Sequence, residues 1–343
     1  MTAPSGGVRD TLGRPLRDLR ISVTDRCNFR CVYCMPREKF GSDHAFLRRD
    51  DLLDFDEIAR VARIGARLGV RKIRLTGGEP LLRAGIADLV AELRTNPDLD
   101  IAMTTNGALL AAHAAALKTA GLDRVTVSLD SIDPAVFEQM SDTRIPLSQV
   151  LTGIAAADDA GLGPVKLNAV VRGGINGGDD HLLAMADHFR GTGTTVRFIE
   201  YMDVGTKNGW ELGEVVSAQA IVDAISTVFP LERVPPHYPG EVAARYRYRD
   251  GTGEIGVISS VTNPFCRSCT RARLSADGQV HTCLFSSGGF DLRSHLRSGA
   301  DDAELESILR RIWLGRDDRY SELRSAATGS SRTQKIEMSY IGG

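Results

Sequence analysis

Leu19-Arg-Ile-Ser-Val-Thr-Asp-Arg-Cys-Asn-Phe-Arg-Cys-Val-Tyr-Cys34 runs from a β-type segment directly into three cysteines spaced C-x3-C-x2-C. The remaining cysteines, Cys266, Cys269 and Cys283, form C-x2-C-x13-C, and there are six in all. Structural thiols would be scattered through the core, so two clusters of three point to metal. Three thiolates are one short of a closed four-coordinate site, which leaves each centre a position for chemistry. A zinc knuckle completed by a distant ligand is one reading of the first triad. The x3–x2 spacing and the aromatic Tyr33 before Cys34 favour the other, an iron–sulfur cube with one iron left open.

Working outward, β-type runs recur at 19–24, 72–76, 100–105, 124–129, 165–171 and 195–200, each followed by a helix-like stretch. In 56–68 the residues Ile58, Val61, Ala62, Gly65 and Leu68 share one helical stripe. The stretch 109–120 stops at Gly121, a natural C-cap. Strand–helix alternation predicts an α/β fold with a parallel sheet and right-handed crossovers. Six units suit an incomplete barrel or an open doubly wound sheet. Val234-Pro-Pro-His-Tyr-Pro-Gly240 breaks any regular element. It divides the chain into domains 1–235 and 236–343. Beyond it, 244–248 and 255–261 predict a hairpin, the stretch from Cys266 to Cys283 is loop-rich, and Leu305, Ile308, Leu309, Ile312 and Trp313 mark a helix.

The unusual residues fall at the ends of the predicted strands, where an α/β barrel gathers its chemistry. The first triad follows strand one. Thr76-Gly-Gly-Glu-Pro80 follows strand two, Thr104-Thr-Asn-Gly107 strand three, Ser128-Leu-Asp130 strand four and Glu200-Tyr-Met202 strand six. One shared active site is the expectation.

Composition narrows the class. With 42% hydrophobic and 25% charged residues the chain can bury a sizeable core, and a net charge of −2 argues against a general nucleic-acid binder. Residues 1–10 carry no apolar h-region, and no run approaches the ~18 apolar residues of a membrane span. A cytoplasmic, reducing location is expected, which suits metal ligation over disulfides. None of the six lysines follows a glycine, so there is no P-loop. Gly251, Gly253 and Gly256 spell G-x-G-x-x-G, but between two strand-like runs, where a hairpin turn explains them.

C-x3-C-aromatic-x-C with Gly77-Gly78-Glu79-Pro80 resembles the radical S-adenosylmethionine superfamily. The segment Phe265-Cys-Arg-Ser-Cys-Thr-Arg-Ala-Arg-Leu274, with Cys283, narrows the resemblance to the GTP 3′,8-cyclases of molybdenum-cofactor (molybdopterin) biosynthesis, over nearly the whole chain. The resemblance implies an incomplete (β/α)6 TIM-type barrel with a C-terminal α+β domain over its open side. It implies [4Fe-4S] clusters at Cys27, Cys31 and Cys34 and at Cys266, Cys269 and Cys283. The first would cleave S-adenosyl-L-methionine, and the second would contact the guanine of GTP. The expected product is (8S)-3′,8-cyclo-7,8-dihydroguanosine 5′-triphosphate, formed after hydrogen abstraction from C3′.

Site residues carry over one by one. Tyr33, Gly78, Glu79, Ser128 and Met202 correspond to cofactor contacts. Arg20, Lys72, Arg74, Thr104, Lys166, Arg197, Arg271, Ala272 and Arg273 correspond to the GTP site. Arg271, Arg273 and the terminal Gly342 and Gly343 correspond to catalytic positions. Implied partners are an unidentified electron donor, a cyclic pyranopterin monophosphate synthase that receives the product, and a second copy in a homodimer. Two other readings stay open on the residues alone: a different twin-cluster radical enzyme, such as a peptide maturase, and a zinc-binding structural protein.

Overall fold

A computed structural model of the chain describes residues 7–238, 240–327 and 335–342. The first half builds β1 (Asp18–Ser22), β2 (Lys72–Thr76), β3 (Asp100–Thr105), β4 (Arg124–Ser128), β5 (Lys166–Val171) and β6 (Thr195–Glu200). The second half adds β7 (Leu231–Val234), β8 (Ala244–Tyr248), β9 (Glu254–Ile258), β10 (Arg271–Leu274), β11 (Gln279–His281) and β12 (Phe290–Asp291). All twelve join one sheet in the order β12-β11-β10-β1-β2-β3-β4-β5-β6-β9-β8-β7.

β1 to β6 pair in sequence order and in parallel, as strand–helix alternation requires. β10 extends the parallel array beyond β1, and β9 extends it beyond β6. Antiparallel strands finish both edges. The sheet does not close, so the architecture is a partial TIM-type barrel. Residues beyond 235 supply strands to both of its edges.

Side-chain alternation divides the sheet into two faces. Leu19, Ile21, Ile73, Leu75, Ile101, Met103, Val125, Val127, Leu167, Val196 and Phe198 are buried in one core with the surrounding helices. The helix Phe55–Leu68 shows how those helices are set. Asp54 and Glu57 form a capping box at its start, and Gly69 ends it at φ 114°. Ile58, Val61, Ile64 and Leu68 then face the sheet.

The hairpin expected from 244–248 and 255–261 is β8–β9. Gly251 and Gly253 turn it with φ of 78° and 131°. One expectation needs correction. The stretch from Cys266 to Cys283 contains β10 and β11 rather than loop alone. Arg271-Ala-Arg-Leu274 is short and half charged, so it carries no strand signal until β1 lies beside it.

Candidate active site

The sheet face turned away from the helices is polar, which is unusual for a parallel sheet, whose strands are ordinarily apolar on both faces. Register fixes who shares it. Arg20 pairs with Arg273 on one side and Arg74 on the other. Thr104 pairs with Thr126, Thr126 with Lys166, and Asn168 with Arg197. Arg20, Lys72, Arg74, Lys166, Arg197, Arg271 and Arg273 are thereby gathered from five strands. Gly256 keeps this surface open: a Cβ there would lie 3.0 Å from the Arg197 Cγ.

These cations crowd one another. Burial, then Arg273, Arg271 and Arg74, pull the Arg20 pKa well down. Burial and Arg74 lower Arg197 to about 9, and burial and Arg271 lower Arg273 to about 9. Burial with Arg197 and Arg124 brings Lys166 to about 8. The guanidiniums remain charged at neutral pH. Lys72 reaches Asp100 at 3.7 Å, and among the described residues the other six form no ion pair, so this surface is preorganised for a polyanion.

Hydroxyls hold the forks in place. Arg74 Nη1 donates to Thr104 Oγ1 at 3.0 Å and to Thr126 Oγ1 at 3.2 Å, and Arg197 Nη2 donates to Thr126 Oγ1 at 3.2 Å. Thr126 was missed by sequence reasoning, as were Arg124, paired with Asp100, and Asn168, whose buried Oδ1 lacks a partner. Counting every second residue from the strand ends would have found all three. Ala272 turns the other way. Its side chain lies in the helix-side core, which leaves only its backbone for the polar face.

The first triad occupies the loop after β1. Its thiols are free and half-buried. Burial pushes Cys27 up to about 11 and raises Cys31 and Cys34, each in the field of its neighbours. Buried thiols of this kind ionise when a metal supplies positive charge. Backbone donors already point at sulfur: Phe29 N lies 3.4 Å from Cys27 Sγ.

Gly77-Gly78-Glu79 presses against this loop. Gly78 N donates to Thr24 O at 2.8 Å, and Glu79 N donates to Arg26 O at 2.8 Å. A Cβ on Gly77 would sit 2.4 Å from Thr24 O, and one on Gly78 would sit 2.1 Å from Arg26 O. The glycines therefore let the cysteine loop dock on β2. Glu79 is buried and accepts from Leu81 N at 3.0 Å, Thr105 Oγ1 at 2.8 Å and Asn106 N at 2.7 Å. Burial raises its pKa to about 7 against those three donors. It stitches the end of β3 to the cysteine loop. Tyr33 donates to Asp130 Oδ2 at 2.9 Å, tying the triad to the end of β4. Ser128 sits beside Asn168 on the polar face. Met202 packs in a small apolar cluster with Ile199, Ala243 and Ile258.

The second triad precedes and follows β10. Although burial alone would raise Cys269, Arg271 and Arg316 hold it down to about 6. Arg271 Nη2 lies 3.6 Å from Cys269 Sγ. A buried ion cluster braces the loop from behind. Arg14 and Arg316 share Asp10, at 2.5 and 3.0 Å. Arg14 Nη1 also reaches Cys266 O at 2.8 Å, and Arg316 Nη1 reaches Cys269 O at 2.9 Å. Asp10 and Arg14 are near neighbours, but Arg316 lies 306 residues from Asp10, so the cluster gave no motif to read. Among the described residues no three His, Cys, Asp or Glu side chains converge on a single metal ion. Three thiols that cap separate irons of a cube do not need to.

The C-terminal segment crosses the strand ends. Lys335 Nζ is 2.8 Å from Asp203 Oδ2 after β6, Tyr340 donates to Asp277 at 2.6 Å, and Arg273 donates to the carbonyl of Gly342. Gly342 has φ +70°, and a Cβ there would lie 2.0 Å from Thr76 Oγ1. Gly343 lies outside the described residues. No helix among the described residues is long and apolar enough to cross a membrane.

The Radical SAM superfamily profile matches residues 21–186, and the Molybdenum Cofactor Synthesis C profile matches residues 194–322. A GTP 3′,8-cyclase of Acidothermus cellulolyticus is 56% identical over 100% of both chains. One from Staphylococcus haemolyticus is 50% identical over 98% of this chain and 99% of its own. Among solved structures, Streptococcus suis SuiB bound to S-adenosylmethionine superposes with TM-score 0.61 at 15% identity, covering 93% of this chain and 70% of that one. Methylornithine synthase follows with TM-score 0.52 at 15% identity, over 91% and 86%. At such identities the likeness is one of fold.

Proposed function

The chain belongs to the GTP 3′,8-cyclase family, and from that premise we propose how its residues divide the work. It is a radical S-adenosylmethionine enzyme of molybdenum-cofactor biosynthesis, with GTP as substrate, [4Fe–4S] clusters and S-adenosylmethionine as cofactors, and (8S)-3′,8-cyclo-7,8-dihydroguanosine 5′-triphosphate as product. The donor sets suit two such clusters: each loop brings three free thiols, a hydrogen-bond donor aimed at a sulfur, and no fourth cysteine.

In our assignment Cys27, Cys31 and Cys34 hold the first cluster, and Cys266, Cys269 and Cys283 the second. A cluster and S-adenosylmethionine held at the first triad would supply the radical chemistry that begins at C3′ of GTP. Tyr33, Gly78, Ser128 and Met202 line the cofactor side, and Glu79 keeps the β3 end locked to the cysteine loop. Arg20, Lys72, Arg74, Lys166 and Arg197 hold the triphosphate, with Thr104 and Thr126 orienting the guanidinium forks. Arg271 and Arg273 stand beside the second cluster. Arg273 also fixes the Gly342 carbonyl next to Thr76, so the tail closes the site over the substrate. Gly343 is assigned with it. We divide the chain at 235/236 into the barrel and the part that carries the second cluster. Electrons come from a separate, unidentified donor, the product passes to a cyclic pyranopterin monophosphate synthase, and two copies pair as a homodimer.

The observation that carries this reading is the row of crowded, largely unpaired cations on a parallel-sheet face between two three-cysteine loops. The test is anaerobic turnover with GTP deuterated at C3′. Deuterium in 5′-deoxyadenosine is expected; cofactor cleavage without deuterium transfer would refute the assignment of GTP.

A further inference from the structure

The cation row is walled at the N-terminal ends of the strands. Lys72 opens β2 and Lys166 opens β5, so both stand at that end. Beneath them runs the connection from β7 to β8. Lys72 Nζ lies 5.4 Å from the centroid of the Tyr238 ring. The phenol also sits in the fields of Asp18, Glu241, Arg197 and Arg74. Glu241 acts on Lys166 and Arg197, yet among the described residues it forms no ion pair; its carboxylate accepts only from His237 N, at 2.7 Å.

This connection is held at both flanks. Arg245 Nη1 donates to Pro235 O at 2.6 Å. Gly240, at φ +90°, lies so close to Ser268 that a Cβ would stand 3.0 Å from its carbonyl oxygen, between Cys266 and Cys269. Near neighbours in sequence, Tyr238 and Gly240, therefore reach the cation row and the loop of the second triad respectively. Glu241 also lines an open cleft of about 990 Å³ with Pro235, Arg245, Phe265 and Arg267. A displaced carboxylate has open space to enter.

Mutually repelling cations favour any nearby anion, and a carboxylate in their field that makes no ion pair is a weak occupant. Phosphate oxygens, with more charge and bidentate geometry, outcompete it. We propose that Tyr238 and Glu241 form the phosphate-end wall of the substrate site, with Tyr238 hydrogen-bonding the terminal phosphate and Glu241 serving as the resident anion that the phosphates displace. The proposal rests on the reading that this face takes GTP.

Equilibrium binding of GTP, GDP and GMP to the anaerobically reconstituted full-length chain tests it. Tyr238→Phe should weaken GTP about tenfold and leave GMP within about twofold, because only the longer tail reaches the hydroxyl. Glu241→Gln should tighten GTP about threefold or more, since a competing charge is gone. The opposite signs are the signature, because a purely structural wall would lose affinity for all three nucleotides in both variants. That uniform loss, or GTP binding unaltered in both, would overturn the wall while leaving GTP as substrate. A wild-type chain that binds no GTP would bring down the premise and the proposal together.

Discussion

Gly78→Ala separates the role of this glycine in docking the cysteine loop from any role toward a ligand. The added Cβ would lie 2.1 Å from Arg26 O, 2.4 Å from Arg26 C and 3.0 Å from Cys27 N. All three are backbone atoms, so no side chain can swing aside. Restoring ordinary contact, near 3.5 Å, demands about 1.4 Å of separation between the two segments. The hydrogen bonds from Gly78 N to Thr24 O and from Glu79 N to Arg26 O, both 2.8 Å, would then stretch past bonding distance. Two such bonds contribute about 1–3 kcal/mol, and the residual overlap costs about 1–3 kcal/mol more. A loss of roughly 2–6 kcal/mol follows, concentrated where the first triad meets β2. The assay is iron per chain after anaerobic reconstitution, read beside the thermal midpoint and 5′-deoxyadenosine formation. Iron should fall from about eight toward about four per chain, because the second triad is braced separately. Cofactor cleavage should be lost with it. Full iron loading at an unchanged midpoint would refute the reasoning.

Three further outcomes are expected. Thr126→Val removes the acceptor shared by Arg74 and Arg197, so the Kd for GTP should rise about three- to tenfold with little change in melting temperature; titration of the reconstituted chain checks it. Gly342→Ala places a methyl 2.0 Å from Thr76 Oγ1 at φ +70°, so the tail should lift and kcat fall at least about tenfold while the Kd for GTP holds. Glu79 gives a pH signature. Burial raises it from 4.5 to about 7, so its folded form binds a proton more readily than its unfolded form. Its contribution is complete below pH 4.5 and is lost as pH rises through about 7, a swing of about 3 kcal/mol. Urea midpoints should therefore drop more between pH 4.5 and 8 in the wild type than in Glu79→Gln; parallel profiles would contradict this.

Much of the fold could be read in the chain because its signals are local. β2, β3 and β6 begin and end where their alternation and flanking turns place them, and the helix Phe55–Leu68 starts one residue ahead of its expected stripe. β10 escaped because its charged residues face the site, so Arg271-Ala-Arg-Leu274 lacks the apolar surface that betrays a strand. The cations of β1, β2, β5 and β6 were each recognisable. Their common face was not, and neither was Thr126, whose function depends on two arginines from other strands.

By itself the sequence determined the two thiol triads, the parallel α/β plan and the family, since spacing within a short motif needs no knowledge of distant neighbours. Only the tertiary structure decided what those parts meet. It showed that Gly77 and Gly78 are small because the cysteine loop lies against them, that Asp10, Arg14 and Arg316 buttress the second triad across 306 residues, and that Gly342 ends beside Thr76 under the fork of Arg273. Charge repulsion and close packing act through space, and a linear chain records neither until the sheet brings its strands together.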